Sequence, residues 1–66
     1  MQIRINGEAR EVPEELTLAE LVAQLELTPQ RVAVEVNQEL VTRKKYAETL
    51  LHPGDTLEIV TLVGGG

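Results

Sequence analysis

Apolar and polar positions alternate at both ends of this chain, and a helical spacing interrupts the alternation between them. Met1, Ile3 and Ile5 alternate with Gln2, Arg4 and Asn6, the period of a half-buried strand. Asn6-Gly7 follows, a pair that accepts the positive φ angles of a type I′ hairpin turn. A two-residue loop pairs Ile5 with Glu8, Ile3 with Arg10 and Met1 with Val12, and Pro13 closes the second strand. Arg10 then shares a face with Ile3 and Val12, where its stem covers the core edge and its guanidinium reaches water. Thr17-Leu18-Ala19-Glu20 is a capping box, with Leu16 and Leu21 placed as a hydrophobic staple. Leu18, Leu21, Val22 and Leu25 follow i, i+3, i+4, i+7, so a helix is expected over 18–25. It should end before Thr28-Pro29, because the residue before proline avoids helical angles.

Alternation resumes from Arg31 to Val36, with Val32, Val34 and Val36 on one face. Asn37-Gln38-Glu39 turns the chain, Leu40-Val41 forms a brief edge strand, and Arg43 to Thr49 reads as a loop or short helical turn. Leu50-Leu51 returns to the core, and His52-Pro53-Gly54-Asp55 is a tight turn. Thr56 to Val63 is the last strand. One helix covering one face of a small mixed sheet buries both apolar surfaces, an α+β arrangement. The first and last strands are the most apolar and belong side by side in the centre. In the last strand Leu57, Ile59, Thr61 and Val63 share one face, and Glu58, Val60 and Leu62 the other. If the first face meets the helix, Val60 and Leu62 form an open apolar patch, a feature that often marks an interface. Arg43 and Tyr46 would flank it as a polar and aromatic rim. The alternative is that the loop carrying Tyr46 covers both residues.

Sixty-six residues make one domain near the lower limit for an unstapled core. The absence of cysteine excludes disulfides and thiolate metal sites and fits a cytoplasmic protein. No apolar run is long enough to cross a membrane, and the alternating start does not resemble a signal peptide. The net charge of −5 comes from scattered acids, which argues against a nucleic-acid partner. The one cationic cluster is Arg43-Lys44-Lys45, beside the single aromatic, Tyr46.

Few residues could perform catalysis. The chain has no serine and no cysteine, and no base is placed to activate a threonine or lysine. His52 lies in a Pro-Gly turn and reads as a solvated loop residue; as the sole imidazole it cannot build a histidine-rich metal site. Glu14-Glu15 precede the helix, where acids favour its positive end. Gly64-Gly65-Gly66 precede neither a helix nor a Gly-Lys-Thr sequence, so they form no phosphate loop. Three glycines after a β-branched strand read instead as an arm without side chains, spanning roughly 10 Å when extended. Residues 1–63 are expected to form the domain and 64–66 a flexible tail. The reactive group is then the carboxylate of Gly66, inert until a partner turns its oxygen into a leaving group. Once activated, its carbonyl could accept sulfur, giving a thiocarboxylate, or an amine, giving an isopeptide.

The chain resembles the ThiS family of β-grasp, ubiquitin-like sulfur carriers of thiamin biosynthesis over essentially its full length. The resemblance lies in Ile3-x-Ile5-Asn6-Gly7, Leu18-x-x-Leu21-Val22, Val36-Asn37, Val41-x-Arg43-x-x-Tyr46, Gly54-Asp55-x-Leu57-Glu58-Ile59-Val60 and Val63-Gly64-Gly65-Gly66. It implies a carrier and not an enzyme, binding no cofactor of its own. A ThiF-type adenylating enzyme would use ATP and magnesium to form the Gly66 acyl-adenylate. A cysteine persulfide would supply sulfur, and the thiazole synthase ThiG would consume it. Gly65 and Gly66 carry over as the tail that enters the partners' sites, and Gly64 matches the family's longer tail variant beside them. Related carriers serve tRNA thiolation or molybdopterin, and ubiquitin-like modifiers share the terminal Gly-Gly; these alternatives stay open on the sequence.

Overall fold

The hairpin turn forms with both central residues at positive φ, Asn6 at 52° and Gly7 at 86°. Its two-residue loop sets β1 (Gln2–Ile5) against β2 (Glu8–Glu11), pairing Ile3 with Arg10 and Ile5 with Glu8 as the spacing requires. A computed structural model describes residues 1–62; the end of the last strand and the glycine tail lie outside them. A second turn of the same kind, Asn37-Gln38 at 52° and 70°, joins β3 (Val32–Val36) to β4 (Glu39–Val41). With β5 (Thr56–Thr61) the sheet runs β2-β1-β5-β3-β4. β1 and β5 lie parallel and adjacent, β5 in the middle and antiparallel to β3. This mixed five-stranded sheet with one helix on one face is the β-grasp fold.

Helix α1 (Leu18–Gln24) starts at the expected box: Glu20 donates its backbone N–H to the Thr17 hydroxyl, and the Glu20 carboxylate accepts from the Thr17 amide at 2.8 Å. These hydrogen bonds favour the charged carboxylate and hold its pKa below the ordinary value. A depressed acid pKa stabilises the fold above the unfolded-state pKa, and that contribution fades as pH falls through the folded value. An NMR titration of Glu20 should therefore give a midpoint below that of an unstructured glutamate, and Thr17→Ala should return it toward the ordinary value.

The helix ends before Thr28-Pro29 as expected, but by a cap that the sequence does not announce. It stops at Gln24, with Leu25 as cap and Glu26 in the left-handed region at φ 59°. The Glu26 amide donates to the Ala23 carbonyl and the Leu27 amide to the Val22 carbonyl, the two bonds of a Schellman motif. Glycine usually occupies that position, and the glutamate hides the signal. Removing the side chain relieves about 1–2 kcal/mol of strain but adds about 0.4–1 kcal/mol of unfolded-chain entropy. Glu26→Gly should accordingly raise the unfolding free energy by about 0.5–1 kcal/mol in urea denaturation. A loss would contradict this reading of the cap.

The core lies between α1 and one face of the sheet. Leu18, Leu21 and Val22 are completely buried against Ile3, Val34, Leu57 and their neighbours. The segment preceding the helix is tied down by Leu51, whose amide donates to the Leu16 carbonyl, and by an isolated bridge between Thr17 and Leu50. Leu51 is buried, whereas Leu50 faces out. A 3₁₀ turn, η1 (Pro29–Arg31), leads into β3, and a longer 3₁₀ helix, η2 (Arg43–Glu48), leaves β4 and packs against α1. Among the described residues no helix is long and apolar enough to cross a membrane.

Candidate functional site

Strand β5 is the last described element, and its pairing determines where the described chain ends. Thr61 pairs with Val32 at the start of β3, and the Leu62 amide donates to the Arg31 carbonyl at 2.7 Å. That point therefore sits at the end of the sheet where η1 enters β3. Because Val41 pairs with Val34, β4 runs toward the same end and delivers Arg43 there. Gly64, Gly65 and Gly66, the expected reactive tail, lie outside the described residues, as does the expected boundary between residues 63 and 64.

The two faces of β5 separate as its alternation requires. Leu57 and Ile59 are buried against the helix layer, whereas Val60 and Leu62 are 57% and 50% exposed. Nothing described covers them, so the alternative in which the Tyr46 loop lies over them is excluded. Ala33, which pairs with Val60, extends the open apolar face toward Leu40, the most exposed large apolar side chain among the described residues. Leu40 was legible only as a brief edge strand; its alternation with half-buried Val41 was the available signal for an open-face position.

The expected rim of Arg43 and Tyr46 beside Val60 and Leu62 is corrected. Tyr46 is 4% exposed and belongs to the core, because η2 folds over the helix layer and not over the open face. Burial raises the pKa of its phenol, and the Arg43 guanidinium partly offsets the rise. Arg43 is exposed, but it lines a cleft on the helix side together with Tyr46.

Two polar residues, Asn6 and Asp55, brace β5 and were not singled out in the sequence for that role. The Asn6 amide group continues the β1–β5 ladder with its side chain: its Nδ2 donates to the Ile59 carbonyl and its Oδ1 accepts from the Ile59 amide, at 3.1 and 2.9 Å. Asn6 thus serves the turn and clamps β5 just before Val60. At the other end of β5, Asp55 is buried and accepts from Asn37 Nδ2 at 3.0 Å and the His52 amide at 2.8 Å. Asn37 Oδ1 in turn accepts from the Thr56 amide. His52 remains exposed in its turn, as expected, with Nδ1 3.9 Å from the Asp55 carboxylate. The two Asn6–Ile59 hydrogen bonds are part-buried, and each is worth about 0.5–1.5 kcal/mol, so Asn6→Ala should lower the unfolding free energy by about 1–3 kcal/mol. Amide exchange at Ile59 should accelerate with it.

The arrangement is a rigid strand, braced at both ends, leading from an apolar open face into residues without side chains. The model of the ThiS family matches residues 3–66. The sulfur carrier protein ThiS of Escherichia coli is 30% identical over 66 residues, covering all of both chains. A thiazole synthase of Paramagnetospirillum magneticum is 41% identical over the whole of this chain, which spans only 20% of that protein's length. Among solved structures, the thiamine biosynthesis protein ThiS of Geobacter metallireducens superposes with a TM-score of 0.86 at 32% identity, each chain fully covered. Fold and sequence both match, and the chain belongs to the ThiS family.

Proposed function

We propose that this chain is a sulfur carrier for thiazole formation, itself a substrate of its partners and not an enzyme. A ThiF-type adenylating enzyme docks on the open face and receives the tail, with Gly64 and Gly65 passing through a channel too narrow for side chains. There the Gly66 carboxylate attacks the α-phosphorus of magnesium-bound ATP, forming the acyl-adenylate and releasing pyrophosphate. A cysteine persulfide then attacks the activated carbonyl and AMP leaves. Cleavage of the S–S bond by a thiol releases the thiocarboxylate, which the thiazole synthase ThiG consumes.

The observation that supports this reading best is the exposure of Val60 and Leu62 on the strand that leads into the glycines. Apolar residues at the root of a tail let a partner grip the domain and align the tail in one step. Burying such anchors carries much of an interface's affinity. Leu62→Glu should weaken binding to the adenylating enzyme more than tenfold, about 1.4 kcal/mol, while the unfolding midpoint stays put. Calorimetry of both processes decides the matter. Unchanged affinity, or unfolding of the free domain, would place the docking surface elsewhere.

A further inference from the structure

On the opposite layer from Val60 and Leu62, α1, η1 and η2 enclose a shallow cleft of about 400 Å³. Its apolar lining comes from Ala19, Pro29, Tyr46 and Ala47, and its rim carries Gln30, Arg43 and Lys44. Pro29 and Gln30 immediately precede Arg31, whose carbonyl holds the Leu62 amide. The cleft therefore opens within two or three residues of the tail's root, roughly 10 Å along the chain.

The cations are concentrated in the same direction. The chain carries a net charge of −5 and six Lys and Arg residues. Arg31, Arg43, Lys44 and Lys45 lie on η1 and η2 at the tail end, leaving only Arg4 and Arg10 on the hairpin. Lys45 is 4.0 Å from Glu48. No described carboxylate pairs with Arg31, Arg43 or Lys44. An apolar lining beneath a cationic rim fits an acidic segment that carries an apolar side chain next to its carboxylates. Phosphate alone would leave the apolar lining unused.

We propose that this cleft is a second docking point for the adenylating enzyme, taking an acidic, apolar-flanked segment of that partner. It rests on the sulfur-carrier reading above. Gripped at Val60 and Leu62 on one layer and at Arg43 and Lys44 on the other, the root of the tail is held from both sides. A single patch would leave the domain free to pivot about it. The cationic rim also accelerates encounter with an acidic surface, an effect that salt suppresses.

The test is the dissociation constant of the full chain with the adenylating enzyme, measured across a salt series. Arg43→Glu combined with Lys44→Glu should weaken binding at least tenfold at low salt, with the difference shrinking as salt rises. Ala47→Phe, which fills the cleft at an exposed position without altering charge, should also weaken it. Arg10→Glu changes the net charge in the same direction at an exposed hairpin position paired with Ile3, off the open face, and should bind as the parent chain does. The inference is overturned if the double reversal and Ala47→Phe both bind normally while Leu62→Glu does not. It is equally overturned if Arg10→Glu weakens binding as much per charge as the reversals, since net charge would then explain the loss. Failure of the parent chain to be bound or adenylated would remove the sulfur-carrier reading itself.

Discussion

Leu21→Ala is expected to lower the unfolding free energy by about 2–5 kcal/mol. Leu21 is wholly buried on the sheet-facing stripe of α1 and follows the capping box as the partner of buried Leu16. The truncation therefore removes apolar contact with the sheet and loosens the entry of the chain into the helix. At about 0.05–0.15 kcal/mol per residue, a domain of this size has little stability to spare, and much of it would be lost. Urea denaturation measures the effect directly. A change below about 0.5 kcal/mol, typical of surface positions, would contradict the assignment of the helix face.

The second large effect is functional. Deleting Gly65-Gly66 should abolish thiocarboxylate formation and leave the unfolding midpoint where it is. The described core runs from Ile3 to Ile59, and the last described backbone bond of β5 is that of Leu62 to Arg31. Neither involves the deleted residues. A loss of several kcal/mol on truncation would imply that the glycines form buried structure. Retained sulfur transfer would remove Gly66 from the chemistry.

Most of the scaffold was legible because its signals are local and periodic. The alternation of Ile3 and Ile5, the Asn6-Gly7 pair and the Thr17–Glu20 box each prescribe a backbone geometry within a few residues, and each appears as prescribed. The same alternation in β5 predicts that Val60 and Leu62 face away from the helix, where they lie. What escaped depends on contacts distant in sequence or on atypical residues. Glu26 closes a helix where glycine is usual. Asn6 reads as a turn residue, yet its side chain also bonds Ile59, fifty-three positions away. Tyr46 sits in a polar stretch with no apolar period, so nothing local distinguishes a buried ring from an exposed one. Its position follows only from the packing of η2 on α1, and with it Arg43 moves to a different surface from the one expected.

The central claim is that the carboxyl group of Gly66 is the atom carrier. Intact mass spectrometry of the chain tests it after incubation with the adenylating enzyme, ATP, magnesium and a persulfide donor. The account predicts a product heavier by the exchange of one oxygen for one sulfur, located by fragmentation to Gly66 and absent without ATP. An unchanged mass under conditions that fully turn over the enzyme's ATP, or a shift equal to a conjugated target protein, would contradict it.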